Sequence, residues 1–132
     1  MRHRLVCDTS ALVAYWKDEP GADVVYAQLQ RGGCIMHEVN VCELCFTLPR
    51  KLPERFTAES TLALLKRVGI TAVGGFDREW TKVVADIRKS APALNIGDGV
   101  AVALASALDL PVLAAEKAFK GAEEYAKIEL IR

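Results

Sequence analysis

The sequence has no excess of charge of either sign: Lys plus Arg and Asp plus Glu number 17 each in 132 residues, for a formal net charge of zero. No overall positive field therefore advertises nucleic acid. Contact with a polyanion has to come from local groups such as Arg2 with Arg4, Arg50–Lys51 with Arg55, Lys66–Arg67 and Arg88–Lys89. The chain also lacks an apolar run near the ~18 residues that a membrane span needs. The stretch after the basic start breaks at Asp8, so it does not read as a signal peptide. The chain reads as soluble and cytoplasmic. Internal repeats, low-complexity tracts and Pro/Gly/Ser-rich linkers are missing too. What is left is one domain over residues 1–132, whose 52% apolar content supports a real core.

A second cysteine or histidine pair is also missing. Cys42 and Cys45 have the spacing of a zinc or redox pair, but Cys7, Cys34, His3 and His37 offer no matching partner pair for a four-ligand zinc site. A thioredoxin-like motif would open a helix after a strand, whereas this pair lies inside an apolar run. The four cysteines are expected to be reduced core residues, acting as small hydrophobes.

Short apolar runs alternate with amphipathic stretches. Strands are expected at Arg4–Asp8, Cys34–His37, Ile70–Val73, Pro111–Ala114 and Ile128–Ile131. Helices are expected at Ser10–Lys17, at Pro20–Arg31 with the proline in its first turn, and from about Val39 to Leu48. Three more are expected at Thr57–Val68, Phe76–Lys89 and Asp98–Leu108. Alternating strands and helices imply right-handed βαβ units. The fold class is therefore α/β, a three-layer sandwich with a central parallel sheet of about five strands flanked by helices. Such sheets bind ligands beyond the carboxyl ends of their strands, where the strand order reverses.

Several acids stand at such ends. Asp8 closes the Leu5–Val6–Cys7 run. It has the position of a helix cap, but Thr9 or Ser10 would serve that purpose and make a third capping residue redundant. Glu43 has Val39, Asn40, Phe46 and Thr47 as its helical neighbours, none basic, and Val41, Cys42, Leu44 and Cys45 beside it. A carboxylate pressed inward without a partner is neutralised, paired or bound to metal. Asp98 enters an alanine-rich helix, either as an N-cap or as a ligand. Glu116 follows Val112–Leu113–Ala114, although Lys117 and Lys120 offer it surface ion pairs. Together Asp8, Glu43, Asp98 and Glu116 would suit hard cations such as Mg²⁺ or Mn²⁺. Two such ions activate water against a phosphodiester. Arg88 and Lys89, before the loop to Asp98, are candidates for gripping phosphates, or else solvated helix charges. Tyr15 and Trp16 are adjacent on the first helix and cannot both face a core well: either one offers an aromatic surface to an antitoxin or second subunit, or the two form a core-plus-rim arrangement.

These residues resemble the PIN-domain family, and within it the VapC-like toxins of prokaryotic toxin–antitoxin pairs. Val6–Cys–Asp8–Thr9–Ser10 is similar to the family's strand-end acid followed by a hydroxyl residue, and Asn40–Val–Cys–Glu43 to its helix-borne glutamate. Asn95–Ile–Gly–Asp98, with the alanine-rich helix behind it, resembles its third acid, and Ala114–Ala–Glu116–Lys–Ala–Phe119 occupies the place of its last motif. The order matches over nearly the whole chain. The resemblance implies a metal-dependent endoribonuclease with catalytic Asp8, Glu43 and Asp98. It implies Mg²⁺ or Mn²⁺ held by those acids and Glu116, with supporting hydrogen bonds from Thr9, Ser10 and Asn40. It further implies an RNA substrate, a homodimer, and a small antitoxin that inhibits by entering the cleft. The last motif departs from the family, which has Thr or Ser and then Asp where this chain has Ala114 and Glu116. That departure leaves open a PIN-like domain that binds RNA or protein without cutting. A phosphotransfer domain is disfavoured: position 10 is Ser rather than a second Asp, and the third strand runs into Val73–Gly74–Gly75.

Overall fold

In a computed structural model, which describes residues 2–132, three apolar residues, Leu5–Cys7, form the central strand β1 of a five-stranded sheet. The other strands are β2 (Cys34–His37), β3 (Thr71–Val73), β4 (Val112–Ala114) and β5 (Ile128–Leu130). All neighbours pair in parallel in the order β3-β2-β1-β4-β5. Six α-helices surround the sheet: α1 (Thr9–Trp16), α2 (Ala22–Arg31), α3 (Glu38–Lys51), α4 (Ala58–Arg67), α5 (Arg78–Ser90) and α6 (Ile96–Leu108). A 3-10 helix, Lys117–Ala122, follows β4. The expected α/β sandwich is therefore the observed one.

Side chains alternate across the strands and build two cores. Leu5, Cys7, Cys34, Met36 and Leu113 face α1–α4, while Val6, Ile35, Val112 and Ala114 face α5, α6 and the 3-10 helix. This is the period of two that a sheet covered on both faces requires. Ala101, Ala103 and Ala105 are buried and let α6 lie close to the sheet. From β1 the chain winds outward through β2 to β3, then returns to the other side of β1 for β4 and β5. The strand order thus reverses at β1, which puts the crevice at its carboxyl end, directly after Cys7.

Several expectations need correction. Pro20 stands outside α2, because Gly21 takes φ +96° and turns the chain there. A β-carbon at Gly21 would come within 2.7 Å of Ile131. Helix α3 runs past Leu48 to Lys51 and tolerates Pro49 in its last turn, where the missing N–H costs only the bond to Cys45. The cysteines are all free, but Cys42 is exposed rather than core, since it shares the outer face of α3 with Phe46. Tyr15 and Trp16 both pack against the α1–α4 core, with ring centroids 5.5 Å apart. Helix α1 packs against both α2 and α3, with Trp16 buried and Tyr15 half-buried, which is the core-plus-rim arrangement. Among the described residues, no helix is long and apolar enough to cross a membrane.

Candidate active site

Asp8 leaves the buried end of β1 in extended conformation and caps α1, its Oδ2 accepting from Ser10 N–H at 3.0 Å. The expectation that Thr9 or Ser10 would take that duty is overturned, because both hydroxyls are committed elsewhere. The Ser10 hydroxyl accepts from Ala115 N–H at 3.0 Å and fastens α1 to the segment after β4. The Thr9 hydroxyl lies 3.0 Å from Glu43 Oε1 and 3.2 Å from the Asn40 carbonyl, sharing one proton between two acceptors. Capping uses only half of Asp8. The residue is 1% exposed, and its Oδ1 is buried with no hydrogen-bond partner.

Glu43 comes from the second turn of α3. Asn40, fully buried, donates one amide hydrogen to Glu43 Oε1 and the other to Gly97 O, each at 2.9 Å. Both acceptors require the amide nitrogen on that side, so the Asn40 orientation is set by its partners, and its Oδ1 is left unpartnered. The bridge ties α3 to the start of α6. Gly97 is needed there because a β-carbon would overlap the Glu43 carboxylate.

Asp98 stands in the first turn of α6 rather than at the cap. Asn95 is the cap, and the two bond reciprocally: Asp98 N–H to Asn95 Oδ1 at 2.8 Å, and Asn95 N–H to Asp98 Oδ2 at 3.0 Å. One carboxylate oxygen is again used locally, and Oδ1 takes no hydrogen bond among the described residues. Glu116 is exposed at the start of the 3-10 helix and caps nothing. The surface ion pairs with Lys117 and Lys120 do not form.

The four acids line one cleft of about 500 Å³ at the carboxyl end of the sheet. Among the described residues, none of them has a Lys or Arg nitrogen within ion-pair distance. Burial, then the nearby Asp98 and Glu43 charges, push the Asp8 carboxyl from its ordinary 3.8 up to about 7, against the opposing pull of the Ser10 bonds. Asp98 is also raised, first by burial and then by Glu43 and Glu116, with the Asn95 bond and Arg88 pulling the other way. Among the described residues, no three His, Cys, Asp or Glu side chains already stand as a closed metal-ligand set. The donors nevertheless fit a hard cation: all are oxygens, one is an orphaned buried carboxylate oxygen, and Gly97 keeps space clear at Glu43. Mg²⁺ in particular takes only one or two carboxylates and fills its shell with water and phosphate oxygens.

Sequence reasoning missed the rest of the lining. Glu19, Lys51 and Arg132 reach the same cleft. Arg132 is held by Glu19 Oε1 and Pro20 O, both at 3.2 Å, and Lys17 and Arg132 together hold the Glu19 carboxyl below its ordinary value. Lys51 belongs to the basic group at residues 50–55, visible in sequence but not placeable. Arg88 and Lys89 do not line the cleft; Arg88 donates to Leu94 O at 2.8 Å and, with Lys89, borders a separate groove.

A search of curated proteins finds no match. Among solved structures, the chain is similar to a toxin–antitoxin complex from Klebsiella pneumoniae, at TM-score 0.72 and 13% identity over 97% of this chain and 98% of that one. It is similar to a DNA-bound VapBC from Salmonella typhimurium, at TM-score 0.66 and 13% identity over 98% and 99% of the two chains. FitAcB from Neisseria gonorrhoeae matches at TM-score 0.63 and 18% identity, over 96% and 97%. At these identities the likeness establishes the fold. The sequence itself matches the model of the PIN domain over residues 5–125. With the acids at the strand ends and the match across almost all of its length, the chain belongs to the PIN-domain family.

Proposed function

We propose that this PIN domain is a metal-dependent endoribonuclease that hydrolyses RNA phosphodiesters, acting as the toxin of a type II toxin–antitoxin pair. The observation that carries the proposal is Asp8 Oδ1. It is a buried oxygen without a hydrogen bond, set among Asp98 and Glu43, and among the described residues no Lys or Arg is ion-paired to any of them. Burying an unpaired charge costs on the order of several kcal/mol, so a site that brings three acids together with no lysine or arginine ion-paired to them is suited to an external cation.

Asp8, Glu43 and Asp98, with Glu116 at the rim, would hold Mg²⁺ or Mn²⁺. When bound, such ions supply a water activated for attack and positive charge against the leaving oxygen. The chain's own work is positioning. Ser10 N–H fixes one Asp8 oxygen and leaves the other for the cleft. Thr9 and Asn40 hold the same oxygen of Glu43, which keeps Oε2 clear of hydrogen bonds. The reciprocal bonds between Asn95 and Asp98 hold the third acid against the start of α6. Lys51 and Arg132 also line the cleft and are suited to receive the RNA backbone. Near neutral pH the raised Asp8 carboxyl keeps part of its proton, which cation binding would displace. The similar solved structures are a toxin–antitoxin complex and a DNA-bound VapBC, which supports an antitoxin as partner. Its inhibition by entering the cleft, and a homodimer as the working form, belong to the proposal alone.

The test is cleavage of end-labelled structured RNA by the purified protein with Mn²⁺ or Mg²⁺, compared with Asp8→Asn. Cation-dependent internal cuts that the substitution abolishes are expected. Intact RNA under every cation, or equal cutting by the mutant, would overturn the nuclease reading. Retained RNA binding without cutting would favour the non-cleaving alternative raised by Ala114 and Glu116.

A further inference from the structure

On the far side of the loop that carries Asn95 lies a second concavity of about 580 Å³. The loop is the divide between the two: Ala93 and Asn95 line the acidic cleft, while Pro92 and Ile96 line this groove. Its character is opposite to that of the cleft. The walls are apolar, Phe76 and Ile96 are 46% and 53% exposed, Arg88 and Lys89 stand at its border, and no acid lines it.

Phe76 is held from beneath. Its ring stacks on Trp80 with centroids 6.2 Å apart, and Trp80 packs on the buried His37 ring at 4.9 Å. His37 accepts from Val39 N–H through Nδ1 at 3.0 Å, which leaves Nε2 to donate to Gly75 O at 2.6 Å. The loop that presents Phe76 is thus tied to the end of β2. Arg88 spends only Nε, on Leu94 O, and its terminal nitrogens take no partner among the described residues. An exposed, braced aromatic ring beside two cations is the combination that receives a nucleobase on its face and a phosphate at its edge.

We infer that this groove is a nucleotide subsite for single-stranded RNA: a base lies on Phe76 against Ile96 and Pro92, and Arg88 and Lys89 take the flanking phosphates. The inference rests on the ribonuclease reading for its substrate class. Charge complementarity argues for RNA here, since the groove offers a polyanion two cations and no acid. The 92–96 segment bounds both concavities, so the groove neighbours the acidic cleft.

The experiment measures binding of a fluorescein-labelled 12-nucleotide single-stranded RNA of mixed sequence in EDTA, where cleavage cannot occur. Wild type is compared with Phe76→Ala, Phe76→Trp, Lys89→Ala and Lys66→Ala, with melting temperatures checking each fold. Phe76→Ala should weaken binding about 10-fold or more, and Phe76→Trp should restore it. Lys89→Ala should flatten the salt dependence by about one phosphate contact. Lys66→Ala, which removes a cation of α4 lining neither the cleft nor the groove, should leave binding intact. Should the protein bind RNA in this Phe76-dependent way yet cut nothing with Mn²⁺, the subsite stands and the hydrolytic reading fails. Unchanged affinity in Phe76→Ala, or no RNA binding by any form, overturns the subsite. A loss of self-association in Phe76→Ala with unchanged RNA affinity assigns the groove to a second copy of the chain and overturns it equally.

Discussion

Gly97 lies so close to Glu43 that a β-carbon on the glycine would overlap the carboxylate, while the Gly97 carbonyl accepts from Asn40, which also holds Glu43. The start of α6 and the second turn of α3 are therefore fitted to each other around one acid. Gly97→Ala should push the Glu43 carboxylate off its bonds to Thr9 and Asn40. Cleavage of labelled RNA is expected to fall about 100-fold, the scale on which small misplacements act. Thermal stability should change little, since alanine returns up to about 1 kcal/mol of helix propensity. A Gly97→Ala protein with wild-type rates would show that the Glu43 position is not critical.

Asp8 should trade stability for function. Its carboxyl stands at about 7 in the folded chain against an ordinary 3.8, so between those values the folded state keeps a proton that the unfolded chain has lost. Raising the pH from 4 to 8 without cations therefore favours unfolding, by roughly 4 kcal/mol for this group at the upper limit. Asp98, also raised, acts in the same direction. Asp8→Asn removes the ionisation while its amide oxygen can still accept from Ser10 N–H. The mutant should melt higher than wild type at pH 8 and lose most of that advantage at pH 4.5. Urea denaturation at both pH values checks this.

Divalent cations should reverse the same penalty. Mn²⁺ added to wild type at pH 8 should raise the melting temperature, with a smaller rise at pH 5.5, where Asp8 is protonated and must release its proton first. Calorimetry in two buffers of different ionisation heat should detect that proton between pH 6 and 7.

Asn40 should be costly to remove. Asn40→Ala deletes the bonds to Glu43 and Gly97, leaving the Gly97 carbonyl with its α6 helix bond alone and Glu43 with one donor fewer. A loss of about 1–3 kcal/mol is expected from the two lost bonds, one of them to a carboxylate, together with slower cleavage. Asn40→Asp, of nearly the same shape, would set a second acid against Glu43 and should fare worse at high pH than at low pH.

Much of this was legible in the amino-acid sequence, for identifiable reasons. Leu5–Val6–Cys7 running into Asp8 is a local pattern, and the strand-order rule turns a strand-end acid into a site. Glu43 stood out because its helical neighbours carry no cation. The helix expected from Asp98 starts at Ile96, because Asn95 takes the cap, and a two-residue exchange of hydrogen bonds leaves no periodic trace. The fit of Gly97 to Glu43 depends on how α3 crosses the start of α6, and no spacing encodes that crossing. Arg132 and Glu19 reach the cleft because the end of the chain folds beside the turn at Gly21. Arg88 and Lys89, adjacent to the Asp98 loop in sequence, fall on its other side in space.

The central claim is that Asp8, Glu43 and Asp98 act together on divalent cations. Isothermal titration of Mn²⁺ into the wild-type protein and into Asp8→Asn, Glu43→Gln and Asp98→Asn at pH 7.5 tests it most directly. The account predicts saturable binding by the wild type and at least about 10-fold weaker binding in each variant, within the 10–100-fold range seen for altered metal sites. Equal Mn²⁺ affinity in all four proteins, or none in any of them, would contradict it.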